Sequence, residues 1–263
     1  MTDIRKQAAV LDGAVRAAEA IPQLSTSDPL TLDEAYAVQR AGVDLRLDRG
    51  EAVAGVKLGF TSKAKAEQMG VSDVIIGYLA DSMAVADGGV FDLATAVHPR
   101  IEPEVAFRLS RDIDPAAPPA DLGDCVDGVA AAMEIIDSRY RDFKFSLEDV
   151  VADNTSACGF VIGEWISPEQ VRQRFDLADQ PVTLWAGQEQ AASGSTADIL
   201  GDPWRALPAV ARMAARYGHP LTVGSVLLAG AATAAIPLQR GITRAEVGQL
   251  GTVSVWVVDG AGR

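Results

Sequence analysis

The sequence predicts an α+β fold, in which a helical part over residues 1–50 precedes a β-rich domain over residues 51–263. Apolar residues recur at every third or fourth position in the first fifty residues, which is typical of helices. Beyond them the apolar segments are short and are separated by turns with glycine and aspartate, which is typical of strands. With 263 residues, of which 48% are hydrophobic, the chain can bury a core.

Two helices are predicted in the N-terminal part. The first follows an apolar stripe over residues 4–18, and residues 21–29 form a loop because they contain two prolines and two serines. Thr31 and Glu34 have the spacing of a capping box, which begins a second helix that continues to about Leu47.

The β-rich domain begins with a predicted strand over residues 52–60, followed by a short helix over residues 62–69. Later segments also have the alternation or the apolar run of strands. They cover residues 100–109, 223–228 and 250–258.

A late helix is indicated by its flanking residues. Asp202 suits an N-cap, Pro203 suits the first helical position, and Gly218 suits the residue after the end. Pro208 lies inside this segment, so we expect either a kink there or a helix that starts nearer to Pro208.

The composition excludes several classes of function. The formal net charge is −13 and the isoelectric point is about 4.6, so nucleic acid and anionic lipid would be repelled. No apolar run approaches the roughly 18 residues of a membrane span, and the N-terminus has no apolar signal segment. Cys125 and Cys158 are too few and too far apart for a disulfide framework, so we expect a cytoplasmic protein.

Histidine is scarce, since His98 and His219 are the only two in the sequence. A zinc site built from imidazoles is therefore disfavoured, and no Gly-x-Ser-x-Gly motif accompanies them to support a Ser-His-acid triad. A bound metal would have to be held by oxygen ligands, which points to magnesium, manganese or calcium.

Two glutamates mark the strand over residues 100–109. Glu102 and Glu104 lie two residues apart, so their side chains project from one face. They could share a cation or form a solvated strand face, and the spacing alone leaves both open. Pro103 between them cannot donate to a ladder, which places the strand at an edge, at a bulge or at its own beginning.

A third glutamate lies in an apolar run. Glu134 belongs to residues 129–136, which are too continuously apolar for a surface strand. A lone buried carboxylate is costly unless it is paired, coordinated or protonated. One interpretation is an ion pair with Arg139 or Lys144. The other is that Glu134 joins the two strand glutamates around a hard divalent cation.

Two polar features interrupt apolar segments. Lys57 lies in an otherwise apolar strand, where it either extends to the surface or is held in a pocket. Residues 153–156 form a polar cluster, for which a turn is the simpler interpretation. Neither pattern assigns a function by itself.

Four motifs occur in order along the chain. They are Lys57-x-Gly59-x-Thr61-Ser62, Pro99-Arg100-Ile101-Glu102-Pro103-Glu104, Glu134-x-x-Asp137-Ser138-Arg139 and Ala152-Asp153-Asn154. This series resembles the hydratase/decarboxylase family of the fumarylacetoacetate hydrolase superfamily. Each motif alone is weakly specific, whereas four in order with matching spacing are specific, and the resemblance covers nearly the whole chain.

The resemblance implies a fumarylacetoacetate-hydrolase-like mixed β-roll with a small helical N-terminal part. It implies that Glu102, Glu104 and Glu134 bind Mg²⁺ or Mn²⁺, which would hold a small 2-oxo-acid substrate. The other site residues that it implies are Lys57 and Asp81 as catalytic, pocket-lining residues and Asn154 and Thr233 as substrate contacts.

Within this family, two segments favour the decarboxylase branch over the hydratase branch. Residues 136–145 contain a tyrosine and a Phe-Lys-Phe sequence, and residues 228–235 lack the Pro-Gly-Ser that is typical of hydratases. His98 before Pro99 agrees with this choice. Decarboxylases of this branch convert 2-oxohex-3-enedioate to 2-hydroxypenta-2,4-dienoate and CO₂ in meta-cleavage aromatic catabolism.

Three alternatives remain. The chain could be a 2-oxopent-4-enoate hydratase, a non-catalytic partner subunit, or a hydrolase of acylpyruvates, which the scarcity of histidine disfavours. The resemblance also implies assembly, either as a homo-oligomer or as a complex with a homologous hydratase.

Overall fold

The computed structural model describes residues 3–62 and 73–260. Apart from Ser62, the helix predicted over residues 62–69 lies outside these ranges. The described residues have the α+β organisation predicted from the sequence, with helices at the N-terminus and two β-sheets beyond them. None of the described helices has the length and apolar character that a bilayer span needs.

Both predicted N-terminal helices are present. The helices are α1 (Ile4–Ala17), α2 (Leu32–Asp48), α3 (Leu147–Ala152), α4 (Pro168–Arg174) and α5 (Ala206–Tyr217). The capping box of α2 is confirmed, because the Thr31 hydroxyl accepts from the Glu34 amide and the Glu34 carboxylate accepts from the Thr31 amide. The two exchanged hydrogen bonds fix the residue at which α2 begins.

The start of α5 explains how Pro208 is accommodated. Asp202 caps a 3₁₀ turn over Pro203–Arg205, and the α-helix begins only at Ala206. Pro208 therefore lies in the first turn, where its missing N–H has no intrahelical partner to lose. Of the two expectations, the later start is confirmed, and Gly218 ends the helix in the left-handed conformation.

The larger sheet has eight strands. They are β1 (Val53–Gly59), β2 (Ile75–Ala80), β3 (Ala84–Val85), β5 (Arg100–Leu109), β6 (Val126–Ile136), β7 (Ala157–Ile162), β10 (Val226–Ala231) and β11 (Ile236–Pro237). The order is β2-β1-β10-β5-β6-β7-β3, and β11 pairs with β5 beyond the end of β10. The sheet is mixed, since β1 and β10 are parallel while β10, β5, β6 and β7 are antiparallel.

The smaller sheet has five strands. They are β4 (Val90–Asp92), β8 (Pro181–Ala186), β9 (Glu189–Ser195), β12 (Gly241–Val247) and β13 (Gly251–Val258), in the order β4-β13-β12-β8-β9. Its strands β12 and β13 lie against β6 of the larger sheet. The smaller sheet therefore packs as a second layer over the centre of the larger sheet.

The larger sheet is curled into a roll, as the contact between β2 and β7 shows. Its outer face, with Val105 and Ala131, shares one apolar core with the smaller sheet and with helices α1, α2 and α5. The inner face carries a separate, smaller apolar cluster. Successive residues of a strand alternate between these two faces, so the core-facing parity in β5 and β6 determines which residues face inwards.

Pro103 lies at a break in the ladder between β10 and β5. The register of these two strands shifts between Leu228 and Ala231, opposite this part of β5. Of the three positions expected for Pro103, the sheet edge is wrong, because β5 is an internal strand. Pro103 lies in an irregularity of the ladder, between the last pair with β10 at Glu104 and the first pair with β11 at Ile101. The irregularity spares the sheet a ladder hydrogen bond that proline cannot donate.

Candidate metal centre

Strand register brings the three predicted glutamates together. Strands β5 and β6 are antiparallel, and Glu102 is directly paired with Glu134. Directly paired residues project from the same face, and Glu104 shares that face because it lies two residues further along β5. This face is the inside of the roll, since Ala106 and Ala132 of the same parity belong to the inner apolar cluster.

The three carboxylates form a compact buried cluster. One oxygen from each of Glu102, Glu104 and Glu134 lies within 4.8 Å of the others. Glu104 and Glu134 are 0% exposed and Glu102 is 5% exposed. Carboxylates at this separation and burial repel one another, so the cluster requires protons or a cation.

Lys57 supplies one positive charge to this cluster. Its side chain is 3% exposed, and its Nζ lies 2.9 Å from Oε2 of Glu134. The same ammonium donates a hydrogen bond to the carbonyl oxygen of Thr155 at 3.1 Å. Lys57 is therefore held in a pocket inside the roll, and the surface interpretation is wrong.

The alternative ion pair for Glu134 is not formed. Arg139 is instead paired with Asp153, with Nε to Oδ1 at 2.5 Å in a buried contact. Lys144 is exposed. The buried pair made by Glu134 is with Lys57, which lies on a strand remote in sequence, so the sequence neighbours of Glu134 were the wrong partners to consider.

Gly230 orients the second glutamate. Its backbone N–H donates to Oε2 of Glu104 at 2.7 Å, and its φ of +114° belongs to a region that glycine adopts freely. A Cβ at this position would lie 2.0 Å from the Thr61 hydroxyl oxygen. The backbone can approach Glu104 in this way only because residue 230 has no side chain.

Burial raises the pKa of both fully buried carboxyls. For Glu104 burial raises the pKa well above its usual value, and the charges of Glu134 and Glu102 add to the shift. For Glu134 burial raises the pKa to about 7, and the opposing effect of Lys57 does not reverse it. In the absence of a cation, these carboxyls therefore keep their protons to a higher pH than ordinary carboxyls do.

The donor set fits a hard divalent cation. Oε1 of Glu104 and Oε1 of Glu134 are buried and have no hydrogen-bond partner within residues 3–62 and 73–260. Unsatisfied buried oxygens are costly, and coordination by a cation would satisfy them. Carboxylate oxygens are the ligands that Mg²⁺ and Mn²⁺ prefer, and three of them leave positions for a chelating substrate.

The structure places Asp81 away from this cluster. Lys57 pairs with Gly77 on β2, and Asp81 follows four residues later, roughly 13 Å along the chain. Its exposed carboxylate accepts hydrogen bonds from the backbone amides of Ala52 and Ser82, both through Oδ1. The role of Asp81 as a catalytic, pocket-lining residue beside Lys57 stays a prediction. Asp81 fastens the start of β1 to the end of β2.

Asn154 holds a loop beside the cluster. Its side-chain amide donates to the Tyr78 carbonyl at 2.9 Å and accepts from the Tyr78 amide at 2.8 Å. Asn154, Thr155 and Ser156 have φ of 51°, 54° and 59°, which is uncommon for residues other than glycine. Residues 153–156 are thus the expected turn, and its strained backbone turns the Thr155 carbonyl towards Lys57.

Thr233 lies beside the glutamate-bearing part of β5. It belongs to the connection between β10 and β11, and both of these strands pair with β5. The connection therefore passes the stretch of β5 that carries Glu102. Thr233 is partly exposed, and its hydroxyl donates to the carbonyl of Ala234 at 3.0 Å.

Two contributors to the site are backbone groups that side-chain patterns do not reveal. They are the N–H of Gly230 and the carbonyl of Thr155. The available signal was a glycine between alanines at the end of a strand, and a polar cluster whose turn residues include the β-branched Thr155. Neither pattern indicates which direction a peptide group faces.

Comparison with known proteins assigns the family. The fumarylacetoacetate (FAA) hydrolase C-terminal family model matches residues 52–258. This chain belongs to the fumarylacetoacetate hydrolase family. The resemblance drawn from the four motifs is thereby confirmed, as is the mixed β-roll that it implied.

Relatives within this family carry two activities in their names. A 4-oxalocrotonate decarboxylase of a Pseudomonas species is 48% identical over 245 residues, covering 93% of this chain and 94% of the relative. A 2-keto-4-pentenoate hydratase of Burkholderia vietnamiensis is 38% identical over 221 residues, covering 83% of each. A solved 4-oxalocrotonate decarboxylase from Pseudomonas putida G7, complexed with magnesium and adipate, has a TM-score of 0.91 at 33% identity, covering 98% of this chain and 99% of that one.

Gly230→Ala is expected to weaken both folding and metal binding. The added Cβ collides with Thr61 and displaces the N–H that holds Glu104. The free energy of unfolding should therefore fall by at least about 2 kcal/mol, and the affinity for Mg²⁺ should also fall. Urea unfolding and calorimetric Mg²⁺ titration measure the two effects. Gly224→Ala is the matched control, because Gly224 also has positive φ but open space around the added Cβ. Equal Mg²⁺ affinity in the two variants would contradict this role.

The stability of the metal-free protein is expected to fall as pH rises from about 5 to about 8. The raised pKa values of Glu104 and Glu134 mean that the folded protein keeps protons that the unfolded chain releases above its ordinary carboxyl pKa. That contribution is lost as pH rises through about 7, the pKa of Glu134. Excess Mg²⁺ should restore stability more at pH 8 than at pH 5, because it replaces those protons.

Thermal melting in EDTA and in Mg²⁺ at both pH values measures this effect. Glu134→Gln is the control, since it removes one titrating carboxyl and should flatten the pH dependence of the metal-free melting temperature. An equal Mg²⁺-induced rise in melting temperature at the two pH values would contradict the proton–metal exchange.

Proposed function

We propose that this protein is a divalent-metal-dependent carboxy-lyase that decarboxylates 2-oxohex-3-enedioate to 2-hydroxypenta-2,4-dienoate and CO₂. The observation that carries the proposal is the buried cluster of Glu102, Glu104 and Glu134 on the inner face of the roll, in which oxygens of Glu104 and Glu134 have no hydrogen-bond partner among the described residues. Support comes from the 48% identical relative, which is named a 4-oxalocrotonate decarboxylase. The similar solved structure contains magnesium and a six-carbon dicarboxylate, adipate.

The three glutamates would hold Mg²⁺ or Mn²⁺, each through a carboxylate oxygen. When bound, such a cation supplies Lewis-acid polarisation of the substrate's 2-oxo group. A hard ion with all-oxygen ligands agrees with the absence of histidine and cysteine from the cluster, and the proposal includes both metals.

The decarboxylation needs an acceptor for the electron pair of the bond that breaks. The C5–C6 bond of the substrate breaks, C6 leaves as CO₂, and the bonding pair moves through the C3–C4 double bond to the C2 oxygen. A proton taken up at that oxygen gives the dienol product. No organic cofactor is required, because the substrate contains its own conjugated acceptor.

Lys57 contributes a fixed positive charge where this electron pair arrives. Its ammonium is buried and is held by Glu134 and by the Thr155 carbonyl, so little reorganisation is needed when charge develops nearby. A lysine can also release or accept a proton. We therefore assign Lys57 the catalytic role of stabilising the oxygen anion and supplying its proton.

An apolar cluster shares the inner face of the roll with the glutamates. Leu79, Phe160 and Leu228 lie in the apolar cluster on the same face as the glutamates. An apolar surround strengthens the interaction of Lys57 with a developing negative charge.

Two further residues belong to the proposal. Thr233 would contact substrate from the connection beside Glu102. Asn154 would act on substrate mainly by holding the loop that presents the Thr155 carbonyl, since its amide already bonds both polar groups of the Tyr78 backbone. Asp81 is not included, because its carboxylate is used at the strand edge.

A hydratase is the second candidate, because a 2-keto-4-pentenoate hydratase is 38% identical over most of the chain. The two activities are separated by incubating the protein and Mg²⁺ or Mn²⁺ with 2-oxohex-3-enedioate. We expect one CO₂ per substrate and appearance of the dienol absorbance. Consumption of supplied 2-hydroxypenta-2,4-dienoate, with no CO₂ from the first substrate, would reject the decarboxylase.

Three variants complete this assay. Lys57→Met should lower kcat by about 10²–10³-fold, because a fixed charge at the developing anion is lost, whereas Lys144→Met, at an exposed lysine, should not. Glu102→Gln should lose turnover without any change in assembly. Unchanged turnover in Glu102→Gln would point to a protein whose metal cluster serves structure alone.

We also propose that the protein self-associates and is located in the cytoplasm. Val90 and Trp256 are neighbours across β4 and β13, and both are more than half exposed, which suits a surface covered by another subunit. That subunit would be a second copy or a homologous hydratase, and analytical ultracentrifugation of the chain alone and with a hydratase tests both. Free thiols at Cys125 and Cys158 agree with a reducing compartment.

A further inference from the structure

Arg100 lies one step along the strand from the metal cluster. It begins β5 and has the same parity as Glu102, so both side chains project from the inner face. The two Cα atoms are roughly 7 Å apart along the strand. Arg100 is the first residue of β5 and pairs with Ile136 and Pro237, and its side chain is half-buried.

An aromatic group supports the arginine. The guanidinium carbon of Arg100 lies 4.5 Å from the centre of the Phe143 ring. Phe143 in turn contacts His98 and Phe145, with ring centres 5.1 Å and 5.7 Å apart. Stacking on the Phe143 ring covers one face of the guanidinium, and the N–H donors at the guanidinium edge can still form hydrogen bonds.

No carboxylate of the described residues forms an ion pair with Arg100. Buried or half-buried arginines elsewhere are paired, as Arg46 is with Glu51 and Arg139 is with Asp153. The sequence has 36 acidic residues against 23 basic ones, so an arginine without an acidic partner is notable in this chain. Its donors are suited to a planar carboxylate, which a guanidinium can bind through two parallel hydrogen bonds.

We propose that Arg100 binds the carboxylate at the far end of the substrate, so that this site selects dicarboxylic 2-oxo acids. The inference rests on the proposed function for the position of the 2-oxo end at the glutamates. An extended six-carbon diacid has its end carboxyl carbons about 6 Å apart, a length similar to the spacing of the Glu102 and Arg100 Cα atoms along β5.

This arrangement has a kinetic consequence. Arg100 contacts the carboxylate before the C5–C6 bond breaks, so it contributes to binding of the substrate rather than to the developing charge at C2. When the bond breaks, C6 leaves as neutral CO₂ and the electron pair goes to the C2 oxygen. Arg100 then has no anion, and the product is held only at its other end.

The test compares two acids that differ only in the far carboxylate. We would titrate the Mg²⁺-loaded protein with 2-oxoadipate and with 2-oxohexanoate by calorimetry. The wild-type protein should bind 2-oxoadipate more tightly by about 10- to 100-fold. Arg100→Gln should abolish this preference and leave the affinity for 2-oxohexanoate unchanged, which also shows that the variant is folded and holds its metal.

Arg108→Gln is the matched control. Arg108 lies on the same strand with the same parity, but at the far end of β5, where it pairs with Asp127 in an exposed contact. This variant should keep the full preference for 2-oxoadipate. Arg100→Lys should recover part of it, because an ammonium keeps the charge and loses the paired donors.

The outcomes separate this inference from the proposed function. A wild-type protein that binds the two acids equally, or an Arg100→Gln variant that keeps the preference, overturns the role of Arg100 whatever the reaction. Loss of preference in Arg100→Gln supports the role even if no CO₂ is released in the turnover assay. In turnover, Arg100→Gln should raise KM for 2-oxohex-3-enedioate by a larger factor than it lowers kcat.

Discussion

The burial of acidic side chains on the inner face of the roll is the constraint that governs the site. Glu102, Glu104 and Glu134 with Lys57 carry three negative charges and one positive charge when all are ionised, a sum of −2. Oxygens of Glu104 and Glu134 remain without hydrogen bonds within the described part of the chain. The cluster can relieve this cost with protons, as the raised pKa values show, or with a divalent cation. Because a bound cation would remove the repulsion between the carboxylates of the metal-free protein, this repulsion favours metal binding.

The surrounding structure keeps the three carboxylates buried close to one another. The outer face of β5 and β6 is committed to the main core, so the strands cannot shift by one residue to bring the glutamates to solvent without exposing that core. Gly230 and the strained turn of residues 153–156 aim backbone groups at Glu104 and Lys57. Strain of this kind persists only where surrounding packing enforces it, and here the Asn154 amide, bound to the Tyr78 backbone, contributes to that packing.

A site of this design separates two tasks along one strand. In the proposed reaction the glutamates and Lys57 would act at the 2-oxo end, where the electron pair arrives, and Arg100 would bind a second carboxylate a strand step away. A relative named as a decarboxylase and a relative named as a hydratase each match more than four fifths of this chain. On this view the first task can be common to both activities, and the groups around the far end of the substrate determine which acid is accepted.

The sequence by itself predicted the fold class, the two N-terminal helices and the grouping of the three glutamates. Periodicity, helix caps and a carboxylate inside an apolar run are all visible in short stretches of sequence. The four motifs extended this to the family. Only the tertiary structure showed which distant residues contact one another. Lys57 and Glu134 are 77 residues apart by number, and no local pattern shows that strands β1 and β6 bring them to 2.9 Å. Asp81 has the residue type of a catalytic acid but the register of β1 and β2 carries it to an edge. Direction and pairing across a sheet depend on contacts between distant segments, which the order of residues does not display.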